Sequence, residues 1–195
     1  MSDDIEQANK FFLAKKFTDA IIQYDKVLAQ SPDNVSALNN KGYSLSKLKR
    51  HQEAIQCYDA ALTINPGDKT LLTNKISALR KTKSYDSALE YCNQILQSSP
   101  NDNIILYHKE RILSSIGNYS ESVQCCNMIL GSYPNNAEIL FDKAVSLAKL
   151  GKDKESISVL SMAVVSDQKL KIKAKNHSAF LHINSNQEFL CAVSG

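Results

Sequence analysis

The four prolines of this chain stand at one fixed interval of 34 residues, at Pro32, Pro66, Pro100 and Pro134. A period between about 20 and 50 residues is the signature of a repeat architecture, in which similar units stack side by side. Cutting the chain two residues after each proline, and once more after the same interval, gives five blocks of 34 residues and a remainder: 1–34, 35–68, 69–102, 103–136, 137–170 and 171–195. We therefore expect five successive structural units and a C-terminal segment.

Each block carries two apolar patterns with helical spacing. In the first half of block two, Leu38 and Leu45 stand seven residues apart, which places both on one helix face. In the second half, the twentieth residue is small in every block, as in Ala54, and the twenty-eighth is aliphatic, as in Leu62. Proline followed by Asp or Asn at the block boundaries ends one helix and caps the next. Each block is therefore predicted to be a helical hairpin whose apolar seam must be covered by its neighbours, with turns near residues 15, 49, 83, 117 and 151.

This pattern resembles the tetratricopeptide repeat (TPR) family over residues 1–170. The clearest match is block two, where LNNKGYSL begins at Leu38 and AIQCYDAALTINP begins at Ala54. The resemblance implies an all-α fold, a right-handed superhelical solenoid of TPR helical hairpins with a C-terminal capping helix. It also implies a non-catalytic scaffold for protein–protein interaction, which binds a peptide segment of a partner in its concave groove.

The sequence departs from the family pattern at the eighth residue of two blocks and at the end of block five, where Gln168 stands in place of the closing proline. The family favours glycine or alanine at the eighth residue of a block, where the two helices approach closely, but blocks three and four carry Ile76 and Glu110. The remainder 171–195 continues the register through Ala174, Ser178 and Leu181. We expect a sixth first helix there, followed by a short capping segment, NSNQEFLCAV.

Composition and charge narrow the class of protein further. The 23 basic and 20 acidic residues leave a net charge of +3, which is too small to predict nucleic acid or a membrane as the partner. The five cysteines form no C-x-x-C pair, which favours a reducing compartment. The apolar runs are too short to span a bilayer, and the acidic start MSDDIEQANK is unlike a signal peptide. We therefore expect a cytoplasmic protein that binds neither nucleic acid nor membrane.

Motifs that carry chemistry are absent from the sequence. It has no glycine-rich phosphate loop, no H-E-x-x-H and no G-x-S-x-G. His177 and His182 are five residues apart, a poor spacing for two metal ligands on one helix. Four cysteines fall in one column of the second helices and are interpreted as small apolar core residues: Cys57, Cys92, Cys125 and Cys126. We expect no enzyme activity, no metal and no cofactor.

The resemblance places the second, fifth, sixth, ninth, twelfth and thirteenth residues of each block in the groove. In blocks two and three the candidate residues are Asn39, Asn40, Tyr43, Lys47, Asn74 and Lys81. In blocks four and five they are Tyr107, His108, Arg111, Phe141 and Asp142. Asparagine carries a donor and an acceptor together, so the first set is suited to a peptide backbone of any sequence. The aromatic residues of the second set would supply specificity.

One known class of TPR ligand, the C-terminal tail of a chaperone, does not fit the residues at the corresponding positions. TPR proteins that grip chaperone tails ending Glu-Glu-Val-Asp use two asparagines and three basic residues. By position the asparagines fall on Asn9 and Asn40, which match, but the basic positions hold Ile5, Thr70 and Asn74. A carboxylate needs cations to replace its hydration, so a chaperone C-terminal tail is not expected.

The sequence is also compatible with three other functions. Lysine and arginine recur at the hairpin turns, as in Lys49, Arg50 and Lys83, and this basic edge is an alternative working surface. A structural module that forms homo-oligomers through its ends or through the apolar segment FLCAV, residues 189–193, is a second hypothesis. A third is a regulatory subunit of an enzyme complex whose chemistry belongs to another chain.

Overall fold

A computed structural model of the chain describes residues 2–194, and the side chains of residues 4–194. The described residues form helices and turns without a strand, which confirms the all-α prediction. The α-helices are α1 (Ser2–Leu13), α2 (Phe17–Gln30), α3 (Val35–Lys47), α4 (His51–Ile64), α5 (Lys69–Lys81), α6 (Tyr85–Ser98), α7 (Asn103–Ser115), α8 (Tyr119–Ser132), α9 (Ala137–Lys149), α10 (Asp153–Ser166), α11 (Leu170–Lys175) and α12 (Gln187–Ser194). A 3₁₀ helix (Ser178–Ile183) lies between α11 and α12. The chain divides into two compact units, residues 1–95 and 96–195, which we call the N-terminal and C-terminal units.

A residue in the left-handed backbone conformation closes every hairpin at the predicted turns. These residues are Lys15, Lys49, Lys83, Gly117 and Gly151, all with positive φ. In block two the N–H of Arg50 donates to the carbonyl of Leu45 at 2.9 Å, and the N–H of Lys49 donates to the carbonyl of Ser46 at 3.1 Å. This pair of bonds is a Schellman motif, which satisfies carbonyls at the end of the first helix. The predicted turn positions are confirmed.

Asparagine or aspartate begins the first helix of blocks two to five, as the sequence predicts. Asn34 accepts a hydrogen bond from the N–H of Ala37 at 2.9 Å, and Asp68 accepts one from Leu71 at 3.0 Å. Asp102 and Asn136 cap α7 and α9 in the same way. Each cap satisfies an N–H group that has no partner within the helix and contributes about 1 kcal/mol.

The twentieth residue of each block lies in the seam and is fully buried, at Ala20, Ala54, Ala88, Ser122 and Ser156. The two residues that differ from the family pattern at the eighth position are buried as well. Ile76 is 0% exposed and Glu110 is 1% exposed. The carboxylate of Glu110 accepts a hydrogen bond from Ser122 Oγ at 3.0 Å, and Ser122 Oγ lies 2.9 Å from Ser146 Oγ. The buried carboxyl group is tolerated there because the Ser122 hydroxyl replaces part of its hydration.

Ion pairs join successive blocks of the N-terminal unit. Lys41 Nζ lies 2.5 Å from Asp25 Oδ1, and Lys75 Nζ lies 2.6 Å from Asp59 Oδ1. Lys75 is largely buried, and its ammonium group also donates to Tyr91 Oη at 2.5 Å. The two lysines stand 34 residues apart, as do the two aspartates, so the same contact recurs at two block junctions.

The C-terminal segment corrects the expectation of a sixth continuous helix. Helix α11 ends at Lys175, and the Nδ1 atom of His177 accepts the N–H of Ala179 at 3.2 Å to begin the 3₁₀ helix. Leu181, which the register placed inside, is 57% exposed. The side-chain cap of His177 starts a new element, so the chain does not extend α11.

Helix α12 packs against α10 and α11. Phe189 and Val193, at the two ends of the FLCAV segment, are each only 1% exposed. Self-association through these two side chains is therefore not supported, because the chain itself already covers them.

Candidate functional site

Two adjoining clefts lie on the N-terminal unit and share one wall, made by Tyr43 and Lys47. The aromatic cleft has a volume of about 400 Å³ and is lined by Phe12, Leu13, Lys15, Phe17, Tyr43 and Lys47. The polar cleft has a volume of about 180 Å³ and is lined by Tyr43, Ser46, Lys47, His51, Tyr58, Asn74, Ser77, Ala78 and Lys81. The structure thus brings Tyr43, Lys47, Asn74 and Lys81 together, four of the residues that the sequence predicts for the groove.

Three rings in edge-to-face arrangement build the aromatic cleft. The centroid of Tyr43 lies 5.4 Å from that of Phe12 and 6.4 Å from that of Phe17. Such geometry is favourable between aromatic rings and holds them in place. Leu13 stands beside them at 79% exposure. Lys47 Nζ lies 4.8 Å from the centroid of Tyr43, where it makes a cation–π contact. Phe12 and Phe17 were not among the sequence candidates, and their place beside Tyr43 comes from the packing of α1, α2 and α3.

A line of asparagines runs from α3 to α5 beside the polar cleft. Asn74 Nδ2 donates to Asn39 Oδ1 at 2.9 Å, and Asn39 Nδ2 donates to Asn40 Oδ1 at 3.3 Å. All three side chains are half-buried. An amide group can make up to four hydrogen bonds, so these contacts leave capacity for a ligand. We call Asn39, Asn40 and Asn74 the amide line.

His51 forms part of the polar cleft and was missed by the sequence reasoning. It is the first residue of α4, and its Nδ1 atom is buried with no hydrogen-bond partner among the described residues. Burial lowers the pKa of the imidazole, and the positive charges of Lys81 and Lys49 lower it further. His51 is therefore neutral at pH 7. The sequence offered one signal, the position of His51 directly after the basic hairpin turn of block two.

In the C-terminal unit, the predicted groove residues contact one another. Tyr107 Oη donates to Glu138 Oε1 at 3.3 Å, and Arg111 Nη1 lies 3.1 Å from Asp142 Oδ2. His108 stands beside Tyr107, with 6.0 Å between ring centroids. Burial raises the pKa of the Asp142 carboxyl, although the Arg111 guanidinium acts in the opposite direction. These side chains thus satisfy much of their own hydrogen-bonding and charge requirement.

Phe141 and Asp142 are not open to a ligand, which corrects the sequence prediction for both. Phe141 is 1% exposed, and its ring packs at 5.7 Å from His177 and 5.9 Å from Phe180. Lys173 Nζ lies 4.2 Å from the centroid of the same ring. Asp142 is 8% exposed. The physical reason is that α11 and the 3₁₀ helix fold against α9 and cover the positions that the repeat pattern assigns to the groove.

The predicted core position of the cysteines is confirmed for Cys57, Cys92, Cys125 and Cys126, which are all buried. Burial raises the pKa of the Cys125 thiol to about 11, so this thiol is protonated at neutral pH and is a poor nucleophile. Within residues 2–194 no three His, Cys, Asp or Glu residues are grouped so as to bind a metal ion. In the same range no helix has the length and apolarity needed to cross a membrane.

Comparisons with known proteins agree with the fold of helical hairpins described above. Residues 35–68, which are block two, match the family model of the tetratricopeptide repeat. No curated protein matches the sequence.

Several solved structures share the fold. A structure of MamA has 15% identity and a TM-score of 0.78, and the match covers 90% of this chain and 96% of that chain. MamA from Desulfovibrio magneticus RS-1, from residue 41 onward, has 13% identity and a TM-score of 0.81, with 86% and 95% covered. YrrB, described as a TPR protein with an unusual peptide-binding site, has 18% identity and a TM-score of 0.73, with 91% and 88% covered.

Proposed function

The chain is a tetratricopeptide repeat protein, by its fold and by the match of residues 35–68, and from this premise we propose that it is a non-catalytic scaffold for protein–protein interaction. The site that we propose lies on the N-terminal unit, where a peptide segment of a partner protein binds. Its residues are Asn39, Asn40, Tyr43, Lys47, Asn74 and Lys81.

The observation that carries this proposal is the position of the amide line beside the polar cleft. Asn74 belongs to both, since it lines the cleft and donates to Asn39 at 2.9 Å. An extended peptide presents alternating N–H and C=O groups, and a row of amides can satisfy both kinds. The cleft beside the row offers room for side chains. Together they provide the two components of peptide recognition, backbone contacts for affinity and a pocket for selectivity.

The candidate residues of the C-terminal unit are already engaged in contacts within that unit. Arg111 is already paired with Asp142, and Tyr107 with Glu138. A ligand would have to compete with these contacts, so Tyr107, His108 and Arg111 are secondary candidates. The fold likeness to YrrB, described as having an unusual peptide-binding site, supports a peptide ligand for an array of this kind.

Self-association is a second candidate because apolar side chains are exposed on the C-terminal unit. Val165 is 84% exposed and Ile172 is 71% exposed. Light scattering of the full chain over a hundredfold range of concentration, about 1 to 100 μM, tests this candidate directly. A mass that rises with concentration in the parent, and stays monomeric in Val165→Ser with Ile172→Ser, supports it.

An affinity purification with mass spectrometry tests the scaffold proposal. The full chain serves as bait in a lysate of its native cell, next to the variant Asn40→Ala with Asn74→Ala. The matched control is Asn127→Ala with Asn135→Ala, because both of these asparagines are exposed and neither lines the clefts. We expect at least one partner that the parent and the control retain and the Asn40 and Asn74 variant loses. Partners that all three baits retain equally would contradict the assignment of the site.

A further inference from the structure

We propose that the aromatic cleft and the polar cleft form one bipartite docking surface for an acidic peptide segment of a partner protein. A bulky apolar side chain of that segment enters the aromatic cleft, and neighbouring Asp or Glu side chains lie along the polar cleft. This inference rests on the proposed function and specifies the chemistry of the partner.

The aromatic cleft is suited to an apolar side chain. Its wall consists of the edges and faces of Phe12, Phe17 and Tyr43, whose centroids lie 5.4 to 6.4 Å apart. At 79% exposure, Leu13 offers most of its side chain to solvent beside these rings. A few well-packed side chains, often aromatic ones, supply most of the affinity at protein interfaces.

The charge around the clefts is positive and unneutralised. Lys15, Lys47 and Lys81 line the clefts, are exposed, and have no carboxylate within 4.0 Å among the described residues. Three other cations of the same unit are paired: Lys41 with Asp25 at 2.5 Å, Arg50 with Glu53 at 2.6 Å and Lys75 with Asp59 at 2.6 Å. A surface with unpaired cations at one place attracts an acidic segment and repels a basic one.

A neighbouring group reports the same positive field. His51 lies in the polar cleft, and after burial the charges of Lys81 and Lys49 are the causes that lower its pKa. Burial is the largest of these causes, and the two lysine charges add to it in the direction that disfavours a further positive charge.

The shared wall explains why one segment would occupy both clefts. Tyr43 and Lys47 line both the aromatic cleft and the polar cleft. A bound peptide that crosses α3 therefore passes directly from one cleft to the other. The ammonium group of Lys47 lies above the Tyr43 ring at 4.8 Å. From that position it can meet a carboxylate of the ligand while the other face of the ligand contacts the rings.

The first test uses synthetic peptides on the full chain. The probes are an array of acetylated and amidated peptides in which an aromatic, aliphatic or serine residue is paired with an acidic, neutral or basic tripeptide, at several spacings. Blocked termini exclude recognition of a free C-terminal carboxylate, and a second copy of the array with free C-termini measures it. We expect the aromatic–acidic class to bind at least about tenfold more tightly than the aromatic–basic class and the serine–acidic class.

The variants separate the two halves of the surface. The variant Lys47→Gln with Lys81→Gln should lose the preference for acidic over neutral peptides. Leu13→Ser should weaken the binding of aromatic peptides by about threefold to tenfold. The charge-matched control is Lys10→Gln with Lys26→Gln, which are exposed lysines that line neither cleft. It should keep the preference, and unchanged thermal melting should show that each variant folds.

Other outcomes overturn the inference in distinguishable ways. Binding that Asn40→Ala with Asn74→Ala abolishes, but that shows no aromatic–acidic preference, overturns the bipartite surface and leaves the proposed function standing. Binding that follows negative charge alone, with homopolymeric RNA competing as well as acidic peptides, overturns it in favour of a general polyanion site. A preference seen only with free C-termini overturns it in favour of carboxylate recognition. If no peptide class binds, both proposals fail.

Discussion

The ring of Tyr58 occupies the space that a side chain on Gly42 would need. A Cβ atom built on Gly42 would lie 2.6 Å from Tyr58 Cε1 and 2.9 Å from Cζ, well inside van der Waals contact. Gly42 is the eighth residue of its block and Tyr58 the twenty-fourth. The two positions face each other across the seam, and their sizes must therefore be complementary.

Replacing Gly42 by alanine should destabilise the protein. The added methyl group must displace the Tyr58 ring, which is 1% exposed and held in the core, so we expect a loss on the order of 1–3 kcal/mol. Urea unfolding followed by circular dichroism measures it. Gly67→Ala is the matched control, because a Cβ there meets nothing within 4 Å. Equal midpoints for the two variants would show that the ring does not constrain this position.

The same relationship explains the large residues at the eighth position of blocks three and four. The position opposite Ile76 is Cys92, and the position opposite Glu110 is Cys126, so small thiols replace the tyrosine ring. Both cysteines are fully buried. We therefore expect Tyr58→Cys to restore part of the stability lost in Gly42→Ile, because the pair then resembles that of block three. A double-mutant cycle should give a favourable coupling of about 1 kcal/mol or more, and additive losses would contradict size compensation.

The left-handed turn residues lead to a second stability prediction. Gly117 has φ +84°, a conformation in which an alanine is strained, so Gly117→Ala should cost about 1 kcal/mol. Lys49 has φ +64°, and Lys49→Gly should be neutral or slightly stabilising, since glycine adopts this conformation without strain. Gly131→Ala, within α8, is the control and should stabilise by about 0.5–1 kcal/mol through helix propensity. Thermal melts that rank the three variants differently would contradict the turn geometry.

His177 should make the stability of the C-terminal unit depend on pH. Burial lowers the pKa of its imidazole, and Lys173 and Lys149 lower it further. Below about pH 6.5 the unfolded chain then binds more protons than the folded chain, so the free energy of unfolding decreases as the pH falls through that value. Protonation also removes the acceptor that holds the N–H of Ala179. We expect His177→Asn to reduce the slope between about pH 7 and 5.5 in urea unfolding experiments. An unchanged slope would show that His177 is not the group responsible.

The sequence predicts most of the hairpin geometry, because proline, cap residues and small seam residues act locally and recur every 34 residues. It does not predict the left-handed backbone of Lys15, Lys49 and Lys83, which the Schellman hydrogen bonds impose on residues other than glycine. The sequence also places Phe141 in the open groove, whereas the structure buries it. The cover over that ring comes from Phe180, in a segment that has lost the repeat and whose folding depends on tertiary contacts.

The residues of the candidate site also include some that the sequence predicts and one that it does not. Tyr43, Lys47, Asn74 and Lys81 follow from the resemblance to the TPR family, which implies that their positions in the first helices face the groove. His51 lies at the start of a second helix and enters the cleft through the packing of the next block, which a repeat pattern for first helices does not describe.

The central claim is that the amide line, and not the basic edge at the hairpin turns, holds the partner peptide. The most direct measurement is the dissociation constant of one binding peptide for the parent, for Asn40→Ala with Asn74→Ala, and for Lys49→Gln with Arg50→Gln and Lys83→Gln, at about 50 and 300 mM salt. We expect the asparagine variant to weaken binding by about tenfold to a hundredfold, since two hydrogen-bonding groups are lost at about 1 kcal/mol each. The basic-edge variant should bind nearly as the parent does, with a flatter salt dependence. Loss of binding in the basic-edge variant, with full binding in the asparagine variant, would contradict the account.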